Sequence, residues 1–193
     1  MLLALFDFLV AAMAIFAALK ARRGGLADVF SQGGYAAIAV AALIGTVKYA
    51  AVPALAPYHA IASQLATVVG VPFAAVGFFL VTRQLAQWAM AILGIAVIGA
   101  AVAFWTSSTY GLYAGIAAQV IWLWGGFNAR SVAGRVLLRV LISVILTSAA
   151  GLLFAPPGMW HGIERENIFH GLLALALMQQ AYAYARTRDG LSA

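Results

Sequence analysis

The chain has 193 residues, 65% of them apolar and only 8% charged, with eleven Lys and Arg against five Asp and Glu. A soluble domain is nearer half apolar and a quarter charged, so this composition excludes a water-soluble globule, a disordered chain and a nucleic-acid-binding domain. The net charge of +6 forms no basic stripe, and the absence of cysteine excludes disulfides, iron–sulfur clusters and thiolate zinc sites.

Seven apolar runs follow one another, at roughly 2–19, 34–52, 60–82, 86–104, 109–125, 136–155 and 167–185, each near the ~20 residues that cross a hydrocarbon layer as helix. No two-residue alternation points to a barrel. The first run has no basic residue before it and carries Asp7 inside it, so it reads as a mature helix, not a signal peptide. Lys20-Ala21-Arg22-Arg23-Gly24-Gly25 ends the first run, and Pro53 with Pro57 ends the second. Arg83 and Gln84 separate the third from the fourth. Thr106-Ser107-Ser108-Thr109 separates the fourth from the fifth. A stretch from Gly125 to Gly134, holding Asn128 and Arg130, precedes the sixth, which Pro156-Pro157-Gly158 closes. The expectation is an all-α integral membrane protein, a single seven-transmembrane helix bundle over residues 1–193 with no internal repeat.

Basic residues orient such a bundle. Lys20, Arg22, Arg23, Arg83, Arg130, Arg135, Arg139, Arg186 and Arg188 share one side if seven spans are right, leaving Lys48 and Arg165 as exceptions. That side is cytoplasmic, so the amino terminus is outside and the carboxyl terminus inside. The Ala-rich, loop-poor composition fits a bacterial inner membrane.

Ionisable groups inside a bilayer are costly and so mark function. Asp7, Lys48, His59, His161, Glu164, Arg165, Glu166 and His170 all fall in the outer half or just above it, with Tyr49, Tyr58, Trp105, Tyr110, Trp160 and Asn167 at the same level. The inner half is apolar apart from glutamines such as Gln119, Gln179 and Gln180. This segregation predicts a polar pocket open to the outer face. Plainer roles compete: Asp7 and Lys48 as a structural ion pair, Lys48 snorkelling outward, the two glutamates favouring a helix amino end, the tryptophans as an interfacial belt. The last run has no lysine, which argues against retinal. Glu166 and His170 lie four apart, on one helix face. That spacing suits either a zinc ion or a plain Glu–His hydrogen bond, and His161 and His59 stand near enough to add nitrogen ligands. Axial ligation of haem by His59 and His170 is a weaker alternative.

The stretch Glu166-Asn167-Ile168-Phe169-His170, followed by an apolar run with Tyr182 and Tyr184, resembles the last helix of the CREST superfamily of seven-helix proteins, which includes alkaline ceramidases and adiponectin and progestin receptors. That helix carries two histidines four apart; His170 matches the second and Glu166 stands where the first would be. The superfamily also has a zinc-binding histidine near a serine in an earlier helix. Here Gly45-Thr46-Val47-Lys48-Tyr49 takes the comparable place, no other histidine is predicted inside a helix, and Asp7 corresponds loosely to the family's acidic residue.

The resemblance implies a metal-dependent hydrolase of lipid amides or esters. Glu166, His170 and His161 or His59 would hold zinc, Asp7 would take the proton, and Lys48 or Tyr49 would stabilise the oxyanion. The alternative from a different class is a non-enzymatic transporter or sensor that binds a small solute or a proton in the same pocket. Its difficulty is the lack of an ionisable path through the inner half. Both readings place the chain in a lipid bilayer, with a lipid or small molecule as ligand.

Overall fold

The computed structural model describes residues 2–22, 25–83, 87–103, 105, 109–129 and 134–191, with the side chains of 26, 83, 87–91 and 188–191 excepted. Arg23, Gly24, Gln84, Thr106, Ser107, Ser108 and Arg130, among the predicted connections, lie outside the described residues. The described residues form seven helical rods and one short hairpin. The helices are α1 (Leu2–Ala21), α2 (Leu26–Ala50), α3 (Ala56–Leu65), α4 (Val71–Arg83), α5 (Gln87–Ala103), α6 (Tyr110–Ala129), α7 (Gly134–Ala149) and α8 (Arg165–Leu191). A π-helical turn, Ala66–Gly70, joins α3 and α4 into one rod, and a second, Ala150–Phe154, extends α7. Among the described residues four helices are long and apolar enough to cross a membrane: Leu2–Ala21, Ala27–Ala50, Pro53–Thr82 and Gly134–Phe154.

Small residues explain the packing. In α1, Ala4, Ala11, Ala14, Ala17 and Ala21 are buried together with Asp7 and Val10, a stripe at steps of three and four that lets α2 and α8 approach closely. Gly34 of α2 meets the α3–α4 rod with backbone against backbone. A Cβ at Gly34 would lie 2.5 Å from Ala74 N and from Gly70 O. Fully buried between the helices, the rings of Phe78 and Trp122 stack at 4.2 Å, and Tyr184 meets both edge-on at 5.1 and 5.8 Å. The outward faces carry large apolar side chains, such as Phe8, Ile95, Val102, Ile145 and Leu152.

Two elements differ from the expected spans. α2 starts at Leu26 and not near 34, because Asp28 and Ser31 lower the hydropathy of its first turns and are nevertheless buried. Between α7 and α8 the chain forms a hairpin, β1 (Met159–Trp160) pairing antiparallel with β2 (Ile163–Glu164). Its two-residue turn has His161 at φ 47° and Gly162 at φ 82°. Positive φ at both central positions matches the twist of hairpin strands, and histidine tolerates that region better than branched residues.

Candidate functional site

The amino ends of α1, α3 and α8 and the carboxyl end of α2 meet at one end of the bundle. Asp7 of α1 is 1% exposed. Its Oδ1 lies 3.1 Å from His170 Nε2 on α8. His170 Nδ1 lies 2.8 Å from the Glu166 carbonyl oxygen. A carbonyl only accepts, so Nδ1 carries a hydrogen. The contact with Asp7 therefore holds one proton between imidazole and carboxyl, whichever of the two carries it. Asp7 Oδ2 is buried and has no hydrogen-bond partner among the described groups.

α2 adds three residues. Tyr49 donates its hydroxyl to Glu166 Oε1 at 2.9 Å. Lys48 Nζ lies 3.9 Å from the centre of the Tyr49 ring and 3.4 Å from His59 Nδ1. Gly45 sits between the two halves of the cluster, with Asp7 Oδ2 and His59 Nε2 both against the position a Cβ would take. Only a residue without a side chain lets the carboxylate and the imidazole share that place. From α3, His59 presents Nε2 to Ser63 Oγ at 3.3 Å.

Six of the seven predicted site residues thus come together: Asp7, Lys48, Tyr49, His59, Glu166 and His170. His161 does not join them; it is exposed in the hairpin turn with its ring against Trp160. His59 lies inside α3, one turn into the rod that Pro57 opens, and not at a solvated entrance as its position before 60–82 implied. Ser63 and Gly45 were not anticipated. Ser63 follows His59 by one helical turn, and that spacing was the available signal.

As they stand, the candidate zinc donors face one another and their neighbours. His170 gives Nδ1–H to a carbonyl, as metal-ligating histidines usually do, and turns Nε2 to Asp7, while the Glu166 carboxylate is held by Tyr49. Lys48, as an ammonium with only donors, turns the His59 Nδ1 lone pair toward itself and leaves the ring hydrogen on Nε2. Among the described residues no three His, Asp or Glu groups gather into a metal-binding set.

Beneath the cluster lies a cavity of about 160 Å³. Asp7, His59, Ser63 and His170 line its outer end, and Gln119, Trp122, Thr147 and Gln180 line it deeper down. The π-helical turn supplies Ala66 and Thr67 to one wall; such turns recur at functional sites. On the other side of the cluster, Tyr49, Glu164, Glu166 and Asn167 border an open vestibule of about 870 Å³ beneath the hairpin. Glu166 borders the vestibule and His170, one turn along α8, borders the cavity.

A second polar group continues below. Tyr35 donates to Gln180 Oε1 at 3.0 Å, and Gln180 Nε2 donates to Ser143 Oγ at 3.0 Å. Tyr184 hydroxyl meets Ser31 Oγ at 2.5 Å and donates to the Ala74 carbonyl at 3.2 Å. This half of the bundle is therefore less apolar than its composition indicated.

Compared with family models, with curated proteins and with solved structures, the chain has no match in any of the three.

Proposed function

We propose that this chain is a seven-span bacterial inner-membrane protein, with its amino terminus outside, that binds a small solute from the outer side as a sensor or carrier. Seven rods in sequence and nine of eleven basic residues on one side support the topology. One observation carries the function: Asp7 is buried at the head of a cavity of about 160 Å³ with one carboxylate oxygen unpaired. A buried unpaired acceptor is costly and is kept where something else satisfies it.

The size of the cavity supports the solute reading over the lipid one. An enclosed cavity of about 150 Å³ holds one benzene, far less than the acyl tails of a membrane lipid fill. A solute of a few heavy atoms fits. The vestibule beside Glu166 lies on the hairpin side of the cluster, one helical turn from His170 at the head of the cavity.

The test is a screen of small water-soluble fragments against the purified protein in detergent, beside Ala42→Leu, which fills the cavity. Fragments that stabilise the wild type and not the filled variant support the reading. Fragments that act equally on both, or none that act, overturn it.

The CREST resemblance keeps one point of support. His59 and Ser63 form a histidine–serine pair in a helix earlier than His170, beside Asp7. Elemental analysis tests whether zinc belongs to it. A full equivalent per chain, lost in His170→Ala, would restore the hydrolase reading, and far less than one would remove it.

A further inference from the structure

We infer that the solute is a small primary ammonium with a short apolar body, its charged end held by Asp7. The inference rests on the solute-binding reading above and commits it to one ligand chemistry.

The lining carries unpaired acceptors. Asp7 Oδ2 and Gln119 Oε1 are both buried without hydrogen-bond partners, and both residues border the cavity. The buried groups that lack acceptors, Asn128 Nδ2 and Arg165 Nε, belong to residues that do not border it. A ligand that satisfies this site therefore brings donors. An ammonium has three and no acceptor.

The stronger of the two acceptors is a carboxyl group. Lys48 acts on Asp7 only through its charge, since its nitrogen faces His59 and the Tyr49 ring, and His59 Nε2, beside Oδ2 over Gly45, is hydrogen-bonded to Ser63. His170 engages only Oδ1. With the shared proton on His170, Oδ2 belongs to a carboxylate and gains most from a charge-assisted hydrogen bond, which an alcohol or amide supplies only in its weaker neutral form. Ser63 borders the same end of the cavity and offers its oxygen as a further acceptor.

The rest of the cavity selects the body of the ligand. Val10, Ile38, Leu173 and Leu177 give it an aliphatic wall, and Trp122 and Phe169 present aromatic rings. A volume of about 160 Å³ admits a chain of a few carbons or one small ring and no more. The approach is acidic as well, since Glu164 and Glu166 border the vestibule.

The experiment is isothermal titration of the purified chain in detergent with butylammonium and, separately, with its neutral isostere butanol. Protein-free micelles are the blank. Butylammonium is expected to bind saturably at one site per chain. Butanol should bind roughly tenfold or more weakly, the difference between a charge-assisted and a neutral hydrogen bond. Gln119→Leu, which leaves the Asp7–His170 pair intact, should weaken butylammonium several-fold, and Ala42→Leu should abolish its binding. Butanol binding as tightly as butylammonium would overturn the ammonium assignment and leave the solute-binding reading standing. No saturable heat from either compound would overturn the assignment, and with an empty fragment screen it would overturn both. Butylammonium binding unchanged in Ala42→Leu would place it outside the cavity and also overturn the assignment.

Discussion

Asp7 and His170 close the bundle by joining its first helix to its last. Their contact, 3.1 Å between Oδ1 and Nε2, is made by a carboxyl group that is 1% exposed. Removing one partner leaves the other buried and unpaired, which costs about 3–5 kcal/mol. Replacing both by apolar groups is far milder. Asp7→Leu and His170→Leu should each lower the unfolding midpoint in detergent strongly. The double variant should recover a large part of the loss, with a coupling of about 1–3 kcal/mol. Additive losses would show that the contact contributes nothing to stability.

Gly45 separates two effects that are usually mixed. A methyl group there meets Asp7 Oδ2 and His59 Nε2, the ends of two side chains. A methyl at Gly34 meets backbone atoms of Gly70 and Ala74, which have less freedom to move. Gly45→Ala should therefore displace the cluster, costing about 1–3 kcal/mol as overpacking and most of the solute affinity. Gly34→Ala should lose more stability, because two helices have to part. Thermal unfolding of both variants, beside the fragment screen for Gly45→Ala, checks this ordering. Equal stability losses would contradict it.

Much of the fold was legible because hydropathy and loop chemistry coincide. Pro53 and Pro57 break a rod where a proline has to, and the alanines of α1 recur at the spacing that buries them. The grouping of Asp7, Lys48, Tyr49, His59, Glu166 and His170 at one end followed from depth alone. Gly45 was not readable as part of the site, since its role depends on which side chains from α1 and α3 arrive over it. The hairpin was missed because strands of two residues leave no periodicity, and His161-Gly162 is a weaker turn signal than Asn-Gly.

The polar line on α8 had a signal that went unread. Glu166, His170, Leu177, Gln180, Tyr184 and Thr187 follow one another at steps of three, four or seven, and so share one face. A single tyrosine in an apolar run looks like core, and the shared face emerges only from the spacings taken together. The network makes Tyr35→Phe informative. It strips Gln180 Oε1 of the donor that holds it at 3.0 Å and should cost about 1–3 kcal/mol as an unsatisfied buried group. Tyr35→Phe combined with Gln180→Leu should be less harmful than the sum of the two changes. A neutral Tyr35→Phe would mean that the bond is not made in the protein.

The topology rests on charge and on rod count, and the chain offers a clean way to read it because it has no cysteine of its own. Single cysteines report the side of each connection. Arg22 follows α1 and is exposed, Tyr58 near the start of α3 is 64% exposed, Arg135 opens α7 and is exposed, and His161 is exposed in the hairpin before α8. A membrane-impermeant maleimide on intact cells should label Tyr58→Cys and His161→Cys. Arg22→Cys and Arg135→Cys should react only after the membrane is opened. The Arg135 and His161 pair is the most telling, because a single rod, α7 with its π-helical extension, lies between them. Labelling of both from outside would mean that this rod does not cross, and Asp7 with its cavity would then lose its external vestibule. The opposite pattern at all four positions would keep seven spans and invert them, placing the solute site toward the cytoplasm. Only the alternation predicted here joins the outer acids, the Asp7–His170 pair and the cavity into one inward route.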